Sequence, residues 1–349
     1  MIKNLILCCG ILSASFLILL FCLALIVRFT QTSFYHGPIS THFDGKKFFN
    51  PPPYATKNFL DILRWSFQNN KQKWPTHVEN TAHPDLSAPK HDEIKTTFVN
   101  HATVLIQTEK LTLLTDPIWS KRASPFSWYG PRRVRKPGIA FHDLPKIDVV
   151  LISHNHYDHL DIPTLQKLEK AFHPVFLVPL GDQALLQRYG MTHIVELDWW
   201  QTHHINQATI TFLPTQHWSA RWTNDKCATL WGSYGIEVAN KKIYFAGDTG
   251  YSKHFTEIKQ QWGRPDLAFL PIGSYLPEWF MQENHMNPGE AVQAHQDLDA
   301  KKSIAIHFGT FQLSDEGIDK PVEDLQKALT KTPTPSSFLI LQVGETHLM

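Results

Sequence analysis

The run 148-DVVLISHNHYDHLD-161 decides how this chain folds. An apolar stretch of strand type, 148–153, leads into a polar turn, and a helix-like segment opens at Ile162. The turn therefore sits at the carboxyl end of a buried strand, where layered α/β proteins place their chemistry. Within six positions it offers His154, His156, Asp158 and His159, and imidazole and carboxylate donors suit zinc and related divalent ions. A lone histidine is more often packed or solvated. Four ligand-type groups in one strand-to-helix turn point to metal.

The same pattern recurs outward from this turn. His217 follows the strand-like TITFLP (209–214), Asp248 closes KIYFAGD (242–248), and His307 follows SIAI (303–306). Two ions needing three protein ligands apiece use this set fully. His154, His156 and His217 would hold one, Asp158, His159 and His307 the other, and Asp248 would bridge them. Other strand-like runs are TTFV (96–99), TVLIQ (103–107), LTLLTD (111–116), VFLVP (175–179), GIEVA (235–239), LAFLPI (267–272) and FLILQV (338–343). Helix-like segments fall near 58–69, 162–172, 181–189, 288–298 and 322–329. Strands followed by helices predict a layered α/β fold with buried sheets.

The chain has 349 residues, with 33 basic against 32 acidic and 42% hydrophobic. That balance argues against disorder and against a nucleic-acid partner bound through bulk positive charge. The apolar residues are front-loaded: the 23 residues from Leu5 to Val27 carry no charge and lie between Lys3 and Arg28. At about 1.5 Å per residue such a helix covers the roughly 30 Å hydrocarbon core, so a membrane-bound chain with an uncleaved transmembrane signal anchor is expected over residues 1–30. A cleaved leader is the alternative, though no A-x-A site follows. An extended Pro-rich arm over 31–95 and a catalytic domain over 96–349 complete the expected organisation. Three of the 4 cysteines lie in the apolar block, leaving Cys227 without an internal disulfide partner. No G-x-S-x-G elbow is present, so a side-chain nucleophile is not expected.

The H-x-H-x-D-H turn followed by distant His, Asp and His resembles the metallo-β-lactamase superfamily. Within it, the runs NHATVLIQ, LLTDPIWSKRASPFSWYGPRR, FAGDTGY, LPIGSYLPEWFMQENHMNP and KKSIAIHFGTF are similar to the N-acylphosphatidylethanolamine-hydrolysing phospholipase D family, from about Phe48 onward. The resemblance implies an αββα sandwich and two Zn2+ ions on the seven residues already named. It implies a phosphodiesterase of phospholipase D type, with a membrane phospholipid as substrate, and it leaves room for a homodimer. It also puts His285 beside the pocket, as a catalytic residue that binds the phosphate or assists the leaving group, a surface or capping histidine being the alternative. The same metal set would also serve a nucleic-acid or cyclic phosphodiesterase, or a lactonase.

Four further features have two readings each. His101 supports the site or is simply buried, and Asp116 orients an imidazole or caps a turn. The basic loop Lys121–Lys136 meets anionic headgroups or is a solvated loop. The Trp-rich pieces 198–201 and 276–281 line an acyl groove or pack the core.

Overall fold

The computed structural model describes residues 13–22, 24, 35–51, 57–68, 70–332 and 337–349. Residues 13–22 form a helix, α1, that is exposed throughout. No helix among the described residues is long and apolar enough to cross a membrane. The expected transmembrane helix therefore finds no support here, and most of its block, Leu5–Val27, lies outside the described residues.

Two seven-stranded sheets face each other. The first holds β1 (Lys95–Asn100), β2 (Thr103–Gln107), β3 (Thr112–Thr115), β4 (Val149–Leu151), β5 (Val175–Pro179), β6 (Ile194–Leu197) and, on the β1 edge, β14 (Thr346–Leu348). The second runs from β7 (Thr202–Ile205) through β8 (Ala208–Leu213), β9 (Ser233–Val238), β10 (Lys241–Phe245), β11 (Leu267–Pro271) and β12 (Lys302–Ile306) to β13 (Phe338–Leu339).

The period-2 alternation of strand side chains builds the layers. In the first sheet Val104, Ile106, Leu113, Val149, Leu151 and Leu177 point inward, against Phe212, Tyr234, Ile236, Phe245 and Phe269 of the second. Their neighbours Leu105, Leu114, Val150, Phe176 and Val178 point outward, under α3 (Ile162–Phe172) and α4 (Gln183–Arg188). On the far side, α5 (His254–Gln261), α7 (Pro288–Asp297) and α8 (Lys320–Leu329) cover Tyr244, Ala268, Leu270 and Ala305. The result is the expected αββα sandwich. Two further helices, α2 (Phe59–Gln68) and α6 (Glu278–Met281), lie together, with Trp65 stacked on Phe280 at 4.9 Å between centroids.

The arm is tied into this body. Phe43 and Phe48 are buried in the inter-sheet core, and His42 stacks on Trp199. Part of the basic loop is structural. Arg133 is half-buried, donating to the Ser120 and Ile118 carbonyls, and Arg135 donates to the Gly309 and Glu79 carbonyls. Lys121, Arg132 and Lys136 remain exposed, with Trp128 and Tyr129 at the tip.

Candidate metal centre

Every sequence-predicted ligand lands on one rim of the sandwich, just past the end of a strand. The turn 153–161 follows β4, His217 follows β8, Asp248 follows β10 and His307 follows β12. Gly247 makes the approach of Asp248 possible. Its φ is 60°, and a Cβ there would sit 2.6 Å from the Ser153 side chain. Both His101, in the β1–β2 turn, and His307 are left-handed, with φ 45° and 62°. Asp116, at φ 32°, follows β3. For non-glycine residues such corners cost about 1–3 kcal/mol each and persist only where the surroundings impose them.

Two clusters result. His156 Nδ1 lies 2.8 Å from His154 Nε2 and 3.3 Å from His217 Nε2. In the second, Asp158 Oδ2 lies 3.2 Å from His159 Nε2 and 3.5 Å from His307 Nε2. Asp248 stands between them. Its Oδ1 is 3.1 Å from His307 Nε2, and its Oδ2 is 3.2 Å from His159 Nε2 and 3.9 Å from His217 Nε2. His285 completes the rim, its Nδ1 3.8 Å from Asp248 Oδ2.

These spacings fit divalent cations. Donors about 2.1 Å from a shared tetrahedral ion lie about 3.4 Å apart, which is the middle of the range seen here. His159 Nε2, His307 Nε2 and Asp248 Oδ1 crowd one another yet have no hydrogen-bond partner. Buried polar atoms left so are rare and call for an ion or a water. Charge agrees: Asp116, Asp158 and Asp248 are all buried, and carboxylates without positive compensation are costly there.

The supporting hydrogen bonds choose which imidazole nitrogen faces inward. His159 Nδ1 donates to Asp116 Oδ2 at 2.7 Å, and His217 Nδ1 donates to the Asn284 carbonyl at 2.9 Å. His154 Nδ1 pairs with Ser153 Oγ at 2.9 Å, while that hydroxyl donates to Asp116 at 2.6 Å. Each leaves Nε2 for the cluster, the tautomer control expected around metal-bound histidine. His101 Nε2 donates to Asp158 Oδ2 at 2.9 Å. Of the two readings for His101 and Asp116, the structure places both in contact with the cluster.

Burial lowers the His154 and His217 pKa values well below the usual imidazole range, helped by neighbouring histidines, so both are neutral donors. Burial also takes His285 down to about 4. Burial would raise Asp248, but the His159 and His307 imidazoles outweigh it and hold the carboxylate well below its ordinary value.

Two site-building residues have no sequence signal. Asn50, in the arm, clasps the His217 backbone at two points: its Nδ2 donates to the carbonyl at 2.7 Å, and its Oδ1 accepts the amide at 3.2 Å. Trp231 Nε1 also donates to that Oδ1. Arg221, buried, uses one Nη1 to hold the carbonyls of Asn155 at 2.8 Å and Leu160 at 2.9 Å, while its guanidinium stacks 4.0 Å over Tyr157. It thereby grips the metal-motif turn near both ends. Asn50 is 167 positions from the backbone it holds, and nothing in a single sequence pairs the two.

Beside the cluster lies a cavity of about 230 Å³. His217 and Asn284 line it beside the apolar Phe48, Trp218, Trp231 and Phe280, and Lys57 and Lys226 also reach it. Phe280 of the second Trp-rich piece is thus a wall. Trp199 and Trp200 of the first line a separate cavity of about 340 Å³ with His254.

Residues 112–308 match the beta-lactamase superfamily domain, more than half of the chain. This chain belongs to the metallo-β-lactamase superfamily. It is 33% identical over 328 residues to N-acyl-phosphatidylethanolamine-hydrolyzing phospholipase D 1 of Caenorhabditis elegans, covering 86% of this chain and 92% of that one. It is 40% identical over 252 residues to an uncharacterized protein of Mycobacterium tuberculosis, covering 71% and 67%. A solved metallo hydrolase from the archaeon Ignicoccus hospitalis shares the fold, with a TM-score of 0.56 at 19% identity over 74% of this chain and 98% of that one. Fold, family and the buried His/Asp cluster make this superfamily member a metal-dependent hydrolase that binds divalent ions.

Proposed function

We propose that this hydrolase is a binuclear zinc phosphodiesterase that cleaves N-acylphosphatidylethanolamine to N-acylethanolamine and phosphatidic acid. The observation carrying the proposal is one shared wall: His217 belongs both to the ligand cluster and to the apolar cavity. A substrate with a phosphodiester next to an acyl chain needs that adjacency. The likeness to the nematode phospholipase supports it.

His154, His156 and His217 would hold one ion, Asp158, His159 and His307 the other, and Asp248 would bridge. When bound, two divalent ions would supply an acidified water and positive charge against that developing at phosphorus. The chain's own residues do the rest. Asp116, His101 and the Asn284 carbonyl fix the ligand orientations, and the apolar walls offer a surface to an acyl chain. His285, with an Nδ1 that has no hydrogen-bond partner, is placed to donate to a phosphoryl oxygen or to the departing ethanolamine oxygen. The uncharged block Leu5–Val27 would hold the enzyme at the bilayer as a single-pass anchor.

The test is to purify the full chain, count metal by mass spectrometry, and assay N-acylphosphatidylethanolamine beside a nuclease substrate and a lactone. Two zinc ions and release of N-acylethanolamine, lost in Asp248→Asn, are expected. Turnover only of the nuclease substrate or the lactone would overturn the lipid reading.

A further inference from the structure

From the placement of α2, we infer that this helix is the surface through which the chain docks on a lipid bilayer, lying in the interface with the cavity mouth beside it. The inference deepens the lipid-hydrolase reading and rests on it for its purpose, though not for its binding test.

Among the described residues, the ring and hydrogen-bond contacts of this helix fall on one side. Trp65 stacks on Phe280 and donates its Nε1 to Asp315, Gln68 accepts from Trp279 Nε1, and Arg64 lies 4.6 Å over the Trp279 ring. Helical periodicity puts Leu60, Leu63 and Phe67 on one stripe, about 140° or more from Trp65. Leu60 is 72% exposed and Phe67 81%, two large apolar side chains set close together on one helix face. Burying such a stripe normally drives helix formation; here Leu63 is half-buried, and Leu60 and Phe67 face away from the protein.

Charge indicates what it faces. The run 57-KNFLDILRWSFQNNKQK-73 has four basic residues and one acid, Asp61. That acid is used locally: Asp61 Oδ2 accepts the Asn58 amide, and Asn58 Oδ1 accepts the Asp61 amide, a reciprocal cap at the helix start. An apolar stripe flanked by cations is the pattern of helices that lie in a membrane interface over anionic headgroups. The helix is also continuous with the catalytic pocket. Ile62 and Lys57 line the same cavity as His217. A bilayer seated on Leu60 and Phe67 would therefore present a phospholipid at the cavity mouth without lifting it through water.

The test uses the full chain in phosphatidylcholine–phosphatidylglycerol vesicles doped with a diazirine-bearing phospholipid. After illumination, adducts are expected on peptides spanning 58–71, whatever substrate the enzyme turns over. Adducts confined to residues 1–34 would overturn the inference. Kinetically, Leu60→Ser with Phe67→Ser should lower kcat/KM on vesicle-borne N-acylphosphatidylethanolamine by about tenfold per residue, the effect of losing one large apolar insertion. Turnover of soluble bis(p-nitrophenyl) phosphate should stay unchanged. Equal loss on both substrates, or no loss on either, would also overturn it. A wild-type chain that labels on 58–71 but cleaves no N-acylphosphatidylethanolamine would sink the substrate reading and leave the docking surface standing.

Discussion

Replacing Asp116 by Asn tests whether the cluster is tuned by its support rather than by its ligands alone. Asp116 receives three donors: the Ser153 amide at 2.7 Å, the Ser153 hydroxyl at 2.6 Å and His159 Nδ1 at 2.7 Å. An asparagine offers one oxygen. The Ser153 amide cannot turn, so that oxygen stays with it, and the new NH2 faces His159. To avoid two opposed donors, His159 must accept at Nδ1 and move its proton to Nε2, the atom that faces Asp158 and Asp248. The imidazole then presents an N–H where a lone pair is needed. Loss of such an outer partner typically costs 10–100-fold in metal affinity, or about 1.4–2.7 kcal/mol. Competition with a chelator at graded free zinc measures this, and one of two ions should be released first. Ser153→Ala, which leaves the Asp116–His159 bond in place, should cost less. An Asp116→Asn variant that holds both ions as tightly as the parent would refute the tautomer argument.

Three other outcomes follow from the same geometry. Arg221→Lys cannot reproduce the planar stack on Tyr157 together with both carbonyl bonds, so denaturant unfolding should show a loss of about 2–4 kcal/mol. Asn50→Ala should lower metal affinity in chelator competition and cost about 1–3 kcal/mol, because it strips both backbone bonds from His217; an unchanged metal titration would make the clasp incidental. His254→Gln should flatten the acid side of the stability curve. Burial pushes His254 down to about 3 from 6.5, so the unfolded chain binds this proton more readily. Its contribution is complete above about pH 6.5 and is lost as pH falls toward 3, at most about 5 kcal/mol. Unfolding free energies measured from pH 7 to 4 should diverge from the parent in that window.

What the sequence made legible was whatever is local and periodic. The turn 153–161, the runs before His217, Asp248 and His307, and the inner faces of the long strands all follow a two-residue alternation or a continuous apolar stretch. The strands that escape are edge strands or lie near one. IVEL of β6 and THHI of β7 are half-exposed, and β14 reads THL, so none has the apolar density that marks a buried strand. Helix α5, HFTEIKQQ, buries only His254, Phe255 and Ile258 and looks polar in sequence. FLILQV pairs only over Phe338–Leu339, because its later residues turn into core contacts at Leu341 and Val343. At the site, His101 and Asp116 were readable as ambiguous, since each sits beside a strand end. Asn50 and Arg221 were not, because a backbone clasp leaves no periodic trace. The basic loop shows the opposite failure: its charge run is conspicuous, yet Arg133 and Arg135 are occupied with carbonyls.

The two proposed ion sites have a mechanical consequence. His154, His156, Asp158 and His159 hang from the first sheet, and His217, Asp248 and His307 from the second. Each ion would thus be a rivet through both leaves of the sandwich. Holding free zinc at 100 times the dissociation constant would add about 2.7 kcal/mol per site to the folded state. Metal supply would then set the lifetime of the chain against heat and proteases as directly as it sets its activity. A starved enzyme would come apart at the rim, where its ligand residues meet.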